Sequence, residues 1–309
     1  MSEQQRFGRS AWRYAFVSAL LASVSALPVR AATSAAASAD ASTAAVGEVI
    51  VTATKREENL QNVPISVQAL TPSTLAAHQV SSSDDYIKLL PSVSFQSFGP
   101  GQSQLYFRGL TSGGDGLHIG SEPATGVYVD EVPLTTIANS VDLHIYDIAR
   151  VEALSGPQGT LFGASSLSGT LRIITNQPDT SHFSASIDAQ VDGFTDGQPG
   201  GEIQGYVNIP VNDKVAIRLV AFDDHEGGYI DNVFKTRVFN LDPGSDPATG
   251  DTLTENNSRF VRNDFNDVDT YGGRAALKVD LNDSWTITPD VIYQHQKADG
   301  NFLANPKLG

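Results

Sequence analysis

The feature that most constrains the fold is a two-residue alternation of apolar and polar side chains through the last third of the chain. From Phe183 to Val191, apolar residues alternate with Ser184, Ser186 and Asp188. Successive side chains of a β-strand point to opposite faces, so this period predicts strands that are buried on one face. The same pattern recurs and predicts about five antiparallel strands, at 183–191, 203–211, 215–221, 271–281 and 285–293.

Strand length and loop length favour a membrane barrel over a soluble sheet. Each segment is close to the ~9–11 residues of a tilted membrane-spanning strand. The connections at Asn212-Asp213 and Asn282-Asp283 are tight, whereas 192–200 and 224–269 are longer. Barrels with short periplasmic turns and long external loops show this asymmetry. A soluble β-sandwich alternates in the same way, so the strands alone leave both architectures open.

The amino terminus has the pattern of an export signal. Arg6, Arg9 and Arg13 precede an apolar run over 14–27. The run is shorter than the ~20 residues of a membrane-spanning helix. With candidate cleavage sites at Ala26 and Ala31, it predicts a signal peptide over 1–31; a buried core helix is the alternative. Residues 32–47 are almost all Ala, Ser and Thr and predict a flexible linker.

A short β-prone hexamer follows the linker. It comprises Glu48, Val49, Ile50, Val51, Thr52 and Ala53, and the charged Lys55 and Arg56 come after it. Such a segment on a tether can add as a strand to the sheet edge of a partner, and we expect it to be mobile until that partner binds. The alternative is that it forms the first strand of the next domain.

The region from 54 to 178 mixes short strands, short helices and glycine-rich turns. Thr71-Pro72 and Ser83 predict helix starts, and 148–154 alternates as a strand. The glycine-rich loop 156–163 is not a phosphate-binding loop. It lacks a following Gly-Lys-Ser/Thr, and Pro157 removes a backbone donor.

The order of motifs in this region resembles the TonB-dependent outer-membrane receptors. The matching motifs are Phe107-Arg108-Gly109, the run 127–133, Arg150-Val151-Glu152, the run 156–163 and Ile173-Ile174-Thr175. Ser155 stands where the family usually has Arg, and 165–170 departs from the family pattern. The resemblance implies an α+β plug domain over 54–178, preceded by a TonB box over 48–53. Residues 179–309 would then be antiparallel transmembrane β-barrel strands, the first part of an incomplete barrel.

The resemblance also implies a function and partners. Such a receptor sits in the Gram-negative outer membrane, in contact with its lipid, and actively takes up a scarce external ligand. The family prior is a ferric siderophore, and cobalamin, an oligosaccharide and other metal complexes remain alternative ligands. Residues 48–53 would bind TonB, with ExbB and ExbD acting indirectly. Arg108, Arg150 and Glu152 would make plug–barrel contacts, with the barrel wall or with plug carboxylates. Apical ligand contacts would come from Phe98, Gln102, Gln104, Asp115 and His118.

Composition excludes several other functions. The formal net charge is −15 and no basic patch occurs, which argues against a nucleic-acid partner. Cysteine is absent, so disulfides and thiolate metal sites are excluded. The six histidines are scattered and no hydrolase motif is complete. We therefore expect neither an enzyme nor a cofactor or metal.

Two alternatives from other classes remain open. One is a non-transporting outer-membrane binding or adhesion β-protein, and the other is an exported soluble hydrolase. A plugged transporter barrel needs on the order of 22 strands, and the residues after 182 suffice for about five. The sequence therefore predicts the N-terminal part of a larger receptor.

Overall fold

The computed structural model describes residues 49–80, 82–97, 99–101, 103–110, 122–135, 141–241 and 251–300. The predicted leader 1–31, the linker 32–47 and Glu48 lie outside the described residues. So do four ligand-contact candidates: Phe98, Gln102, Asp115 and His118. None of the described helices has the length and apolar character needed to cross a membrane.

The first part of the structure is an α+β domain, which we call the plug. Its elements are β1 (Ile50–Val51), β2 (Glu58–Asn59), β3 (Val67–Leu70), α1 (Pro72–Ala77), α2 (Ser83–Lys88), β4 (Val93–Ser97), β5 (Ser103–Phe107), β6 (Thr125–Val129), β7 (Val132–Pro133), β8 (Ile148–Ser155), α3 (Gly159–Phe162) and β9 (Gly169–Thr175). The helix starts follow the sequence. Thr71 caps α1 by accepting a 3.3 Å hydrogen bond from the backbone N of Thr74, and Pro72 occupies the first turn.

A five-stranded sheet organises the plug, in the order β3-β8-β9-β6-β7. Only the β6–β9 pairing among its ladders is parallel. Successive side chains of each strand point to opposite faces of the sheet. One face, with Val151, Leu171 and Ile173, packs with Leu75 of α1, with α2 and with β5. The other face packs Tyr128 and Leu154 against Val51, Ala53 and Phe162 in a second, smaller core.

The second part is a sheet of long antiparallel strands. Its elements are β10 (Ser184–Gly193), β11 (Pro199–Asn212), β12 (Val215–Glu226), β13 (Thr236–Asn240), β14 (Thr252–Asn256), β15 (Val268–Asn282), β16 (Trp285–Ile287) and β17 (Asp290–Ala298). The order is β10-β11-β12-β15-β16, and β17 also pairs with β15. Across the described residues the sheet does not close into a barrel, as the sequence predicts.

Both predicted tight turns are present. Asn212 accepts a 2.8 Å hydrogen bond from the backbone N of Lys214, and Asn282 accepts a 2.9 Å bond from Ser284. An Asn side chain that binds the backbone two residues on stabilises such a turn. These turns fix the register, and the apolar faces then line up from strand to strand.

Two features differ from the sequence prediction. The strand predicted at 285–293 is divided into β16 and β17, which both pair with β15. Pro289 lies at the break and has no backbone N–H to donate to a ladder. The connection 224–269, predicted as a loop, contains the hairpin of β13 and β14.

The alternation gives the long strands two chemically different faces. Ile187, Val191 and Val291 are 74%, 84% and 69% exposed. Asn208, Arg218 and Arg274 point the other way, are buried, and contact the plug or the segment that follows it. The polar face of the sheet therefore contacts the plug, and the apolar face is exposed.

Candidate functional site

The segment 49–55, which we call the N-terminal segment, lies on the second face of the plug sheet. β1 pairs antiparallel with β2, and the backbone N of Leu60 donates a 2.9 Å bond to the carbonyl of Val49. Val51 and Ala53 are completely buried against Tyr128, Leu154 and Phe162. We expected a mobile hexamer, whereas the structure shows these residues packed on the plug. Its described residues are docked because two apolar side chains complete the second core.

Thr52 attaches the N-terminal segment to the plug sheet through every polar atom that it has. Its backbone N donates to Glu152 Oε1 at 2.7 Å, and its carbonyl accepts from Arg172 Nη1 at 2.8 Å. Its hydroxyl accepts from Arg172 Nη1 at 2.9 Å and from Arg150 Nη2 at 3.0 Å. We call Thr52, Arg150, Glu152 and Arg172 the clamp.

A buried ion pair forms the centre of the clamp. Glu152 on β8 and Arg172 on β9 are direct register partners, and Arg172 Nη1 donates to Glu152 Oε2 at 2.8 Å. Their side chains are 0% and 1% exposed. Arg150 Nε adds a 2.7 Å bond to Glu152 Oε1. Buried charges are tolerated only when paired and hydrogen-bonded, so Thr52 supplies part of what stabilises this pair.

A second, more exposed contact follows the clamp. Lys55 forms an ion pair with Glu131, and its Nζ lies 4.3 Å from the centroid of the Phe162 ring. Glu131 also accepts a 2.9 Å bond from Arg172 Nη2. Lys55 has a left-handed backbone with φ of 64°, which turns the chain away after Thr52. The N-terminal segment thus ends in a charged turn on the surface of the plug.

The three residues predicted to contact the barrel make plug contacts in the described structure. Arg150 and Glu152 belong to the clamp, and Arg108 Nη2 donates to Ser66 Oγ at 3.3 Å. A role toward further barrel strands stays a prediction. The ligand candidate Gln104 is 3% exposed within β5 and accepts from the Tyr106 hydroxyl. It does not present an open surface as the sequence predicted.

Several contacts between the plug and the long strands come from residues 141–147, which we call the docking strip. His144 Nε2 lies 2.9 Å from Gln204 Oε1, and its ring stacks on Phe222 with centroids 4.2 Å apart. Burial lowers the pKa of His144, against the hydrogen bond with Gln204 and the charge of Asp142. Sequence reasoning missed the strip because it is irregular and matches no motif.

Two further side chains of the docking strip bind the strands. The Tyr146 hydroxyl donates to Asp188 Oδ2 at 2.6 Å, and burial followed by this hydrogen bond raises the pKa of Tyr146. Asp147 Oδ2 accepts from Arg218 Nε at 2.6 Å. Polar side chains of the plug and of the sheet therefore meet along one continuous strip.

The described residues contain no group of three or more His, Cys, Asp or Glu side chains that could hold a metal ion. The clamp holds the N-terminal segment, and the docking strip holds the plug against the long strands. Both are binding arrangements.

Comparison with known proteins relates these features to a family. The model of the TonB-dependent receptor plug domain matches residues 59–170. The vitamin B12 transporter BtuB of Photobacterium profundum is 29% identical over 182 residues, which are 57% of this chain and 28% of that protein. The pesticin receptor of Yersinia pestis is 34% identical over 136 residues, 43% of this chain and 19% of that protein.

A solved structure supports the fold over a longer stretch. The pyoverdine outer-membrane receptor FpvA of Pseudomonas aeruginosa PAO1 superposes with a TM-score of 0.58 at 17% identity. The match covers 82% of this chain and 31% of that one. It therefore extends beyond the plug into the long strands. The chain spans less than a third of the length of the curated relatives that it matches.

Proposed function

This chain belongs to the TonB-dependent receptors, and from that premise we propose that it is the N-terminal part of a receptor for active uptake across a Gram-negative outer membrane. In this proposal residues 1–31 direct export and 32–47 form a tether. Residues 54–178 are the plug, and 179–309 begin the barrel. The uncovered apolar face with Ile187, Val191 and Val291 contacts lipid, and the polar face holds the plug.

The observation that carries the proposal is the docked N-terminal segment. We propose that the periplasmic domain of TonB, energised through ExbB and ExbD, binds residues 48–53 as an added strand. β1 and β2 pair over two residues each, so little backbone pairing opposes release. Until Thr52 is released, the clamp transmits the pull from Thr52 to β8 and β9, the central strands of the plug sheet.

The ligand is proposed only as a class. The relatives that match this chain are named for vitamin B12 and pesticin, and a similar structure is a pyoverdine receptor. We propose that the ligand is a scarce external molecule, with a ferric siderophore as the first candidate. It would contact Phe98, Gln102, Asp115 and His118. Gln104 is buried and would contact it only after β5 rearranges. The proposed protein is a transport receptor without catalytic activity.

The test is a proline substitution in the proposed TonB-binding segment of the full-length receptor. Ile50→Pro removes a backbone donor and fixes φ, so strand addition should fail. Ile50→Ala keeps the backbone and is the matched control, since Ile50 is 39% exposed. Binding of the purified TonB periplasmic domain should be lost in Ile50→Pro and kept in Ile50→Ala. Equal binding by both variants would contradict the proposed role of residues 48–53.

A further inference from the structure

A network of charged and amide groups surrounds Asp147, at the carboxyl end of the docking strip. The Asp147 and Arg218 side chains are 2% and 9% exposed, and Arg218 contacts the carboxylate through both Nε and Nη2. Asn176 Nδ2 donates to Asp147 Oδ1 at 2.9 Å, and its carbonyl accepts from Arg274 Nη1 at 2.8 Å. Arg274 Nε in turn donates to Asp290 Oδ2 at 2.6 Å.

The network joins parts of the chain that are far apart in sequence. Asp147 precedes β8 of the plug, and Asn176 follows β9. Arg218, Arg274 and Asp290 lie on β12, β15 and β17, which are neighbouring strands of the long sheet. The backbone of Asp147 is left-handed, with φ of 54°, a conformation that Asp adopts more readily than most residues. The left-handed backbone and the short Asp side chain together place the Asp147 carboxylate against the long sheet.

The chain through β8 connects the clamp to the Asp147 network, and the two share no partner among the residues that the structure describes. Thr52 binds the side chains of Arg150, Glu152 and Arg172, which all belong to the plug. Asp147 binds Arg218 of the long sheet. A pull that reaches Glu152 through Thr52 therefore reaches Asp147 five residues along the same chain. At Asp147 the pull is opposed by the buried, bidentate ion pair with Arg218 of the long sheet.

We propose that Asp147, with Arg218, is a positioning site that keeps the plug seated on the barrel wall while the N-terminal segment is released. This rests on the proposed function, because release presupposes a pull on residues 48–53. The site is an anchor and takes no part in binding ligand or TonB. Its loss should loosen the plug and open a leak along β12 and β15, without changing how TonB binds.

The experiment uses the full-length receptor and measures entry of vancomycin, a large hydrophilic antibiotic that intact outer membranes exclude. Asp147→Asn keeps the side-chain shape and tolerates the left-handed backbone, but leaves Arg218 buried and unpaired. Arg218→Gln likewise leaves Asp147 buried without its charged partner. Each single variant should raise vancomycin sensitivity severalfold. The double variant, which removes both charges, should leak less than either single variant. Asp179→Asn, at an exposed carboxylate after β9 that accepts from Ser181, is the control and should not leak.

Binding of the TonB periplasmic domain, measured on the same variants, separates the anchor from the proposed function. Leaky single variants with unchanged TonB binding support the anchor. Single variants that fold and remain as tight as the wild type overturn it. If the wild type itself does not bind the TonB domain, the proposed function fails, and the leak alone decides on the anchor.

A milder variant covers the case in which Asp147→Asn does not assemble. Arg218→Lys keeps the charge but cannot reproduce the two-point contact with Asp147. It should leak, though less than Arg218→Gln. An Arg218→Lys receptor as tight as the wild type would overturn the proposal.

Discussion

The clamp and the docking strip both fix the plug through polar contacts, but they face different partners. The clamp gathers Arg150, Glu152 and Arg172 around one residue of the N-terminal segment. The docking strip spreads His144, Tyr146 and Asp147 over the long strands. One domain is therefore held at two places by independent sets of side chains. In our account the first set yields to TonB and the second stays in place.

The largest effect is expected from Glu152→Ala. It leaves Arg172 buried without its carboxylate partner, which should lower the free energy of unfolding by about 3–5 kcal/mol. The measurement is thermal or urea unfolding of the receptor in detergent. Glu131→Ala is the matched control, because Glu131 also pairs with Arg172 but its side chain is 60% exposed. An exposed pair contributes only ~0–1 kcal/mol. Equal losses would mean that the buried pair does not dominate the clamp.

An intermediate effect is expected from Val51→Ala. Val51 is completely buried in the second core, so the lost methyl groups and the cavity should cost roughly 1.5–3 kcal/mol. That loss weakens docking of the N-terminal segment, so the TonB periplasmic domain should bind the variant more tightly. Binding is measured by titration, with Ile50→Ala as the exposed neighbour. Unchanged TonB affinity in Val51→Ala would show that docking does not compete with TonB.

The smallest effect concerns pH and the docking strip. Burial lowers the pKa of His144 below its ordinary 6.5, so the folded protein binds this proton less readily than the unfolded chain. Stability should therefore fall as the pH drops through 6.5, and be regained above it. The carboxylates that face the ring are Asp142 and Asp224, the latter 4.0 Å from Nδ1.

His144→Gln keeps a polar partner for Gln204 but does not titrate. As the pH drops from above 6.5 to below it, the melting temperature of the wild type should fall relative to that of His144→Gln. Parallel pH profiles for the two proteins would assign the dependence to other groups.

Sequence reasoning predicted the parts of the fold that depend on local patterns. Period-two alternation indicated the long strands, and Thr71-Pro72 indicated the start of α1. Pro289 was a local signal for the break between β16 and β17, which the alternation hid. The hairpin of β13 and β14 was missed because its alternation is short and largely polar.

The sites were harder to predict because their contacts are distant in sequence. Arg150 and Glu152 were singled out, but their described partners are Thr52 and Arg172 of the plug. Arg172 was missed, although an Arg between the apolar Leu171 and Ile173 of a central strand is a signal for a buried ion pair. The Asp147–Arg218 pair joins residues 71 positions apart, and no local pattern announces it.

The most direct test of the account asks whether TonB uncovers one face of the plug and leaves the other closed. Leu154 and Val151 lie on opposite faces of β8 and are both completely buried, Leu154 in the core that the N-terminal segment completes. This chain has no cysteine, so Leu154→Cys and Val151→Cys, each made in a receptor without other cysteines, can be probed with a maleimide. The account predicts that both are unreactive in the receptor alone, and that adding the TonB periplasmic domain exposes Leu154→Cys only. Labelling that TonB leaves unchanged at Leu154→Cys, or that rises equally at Val151→Cys, would contradict it.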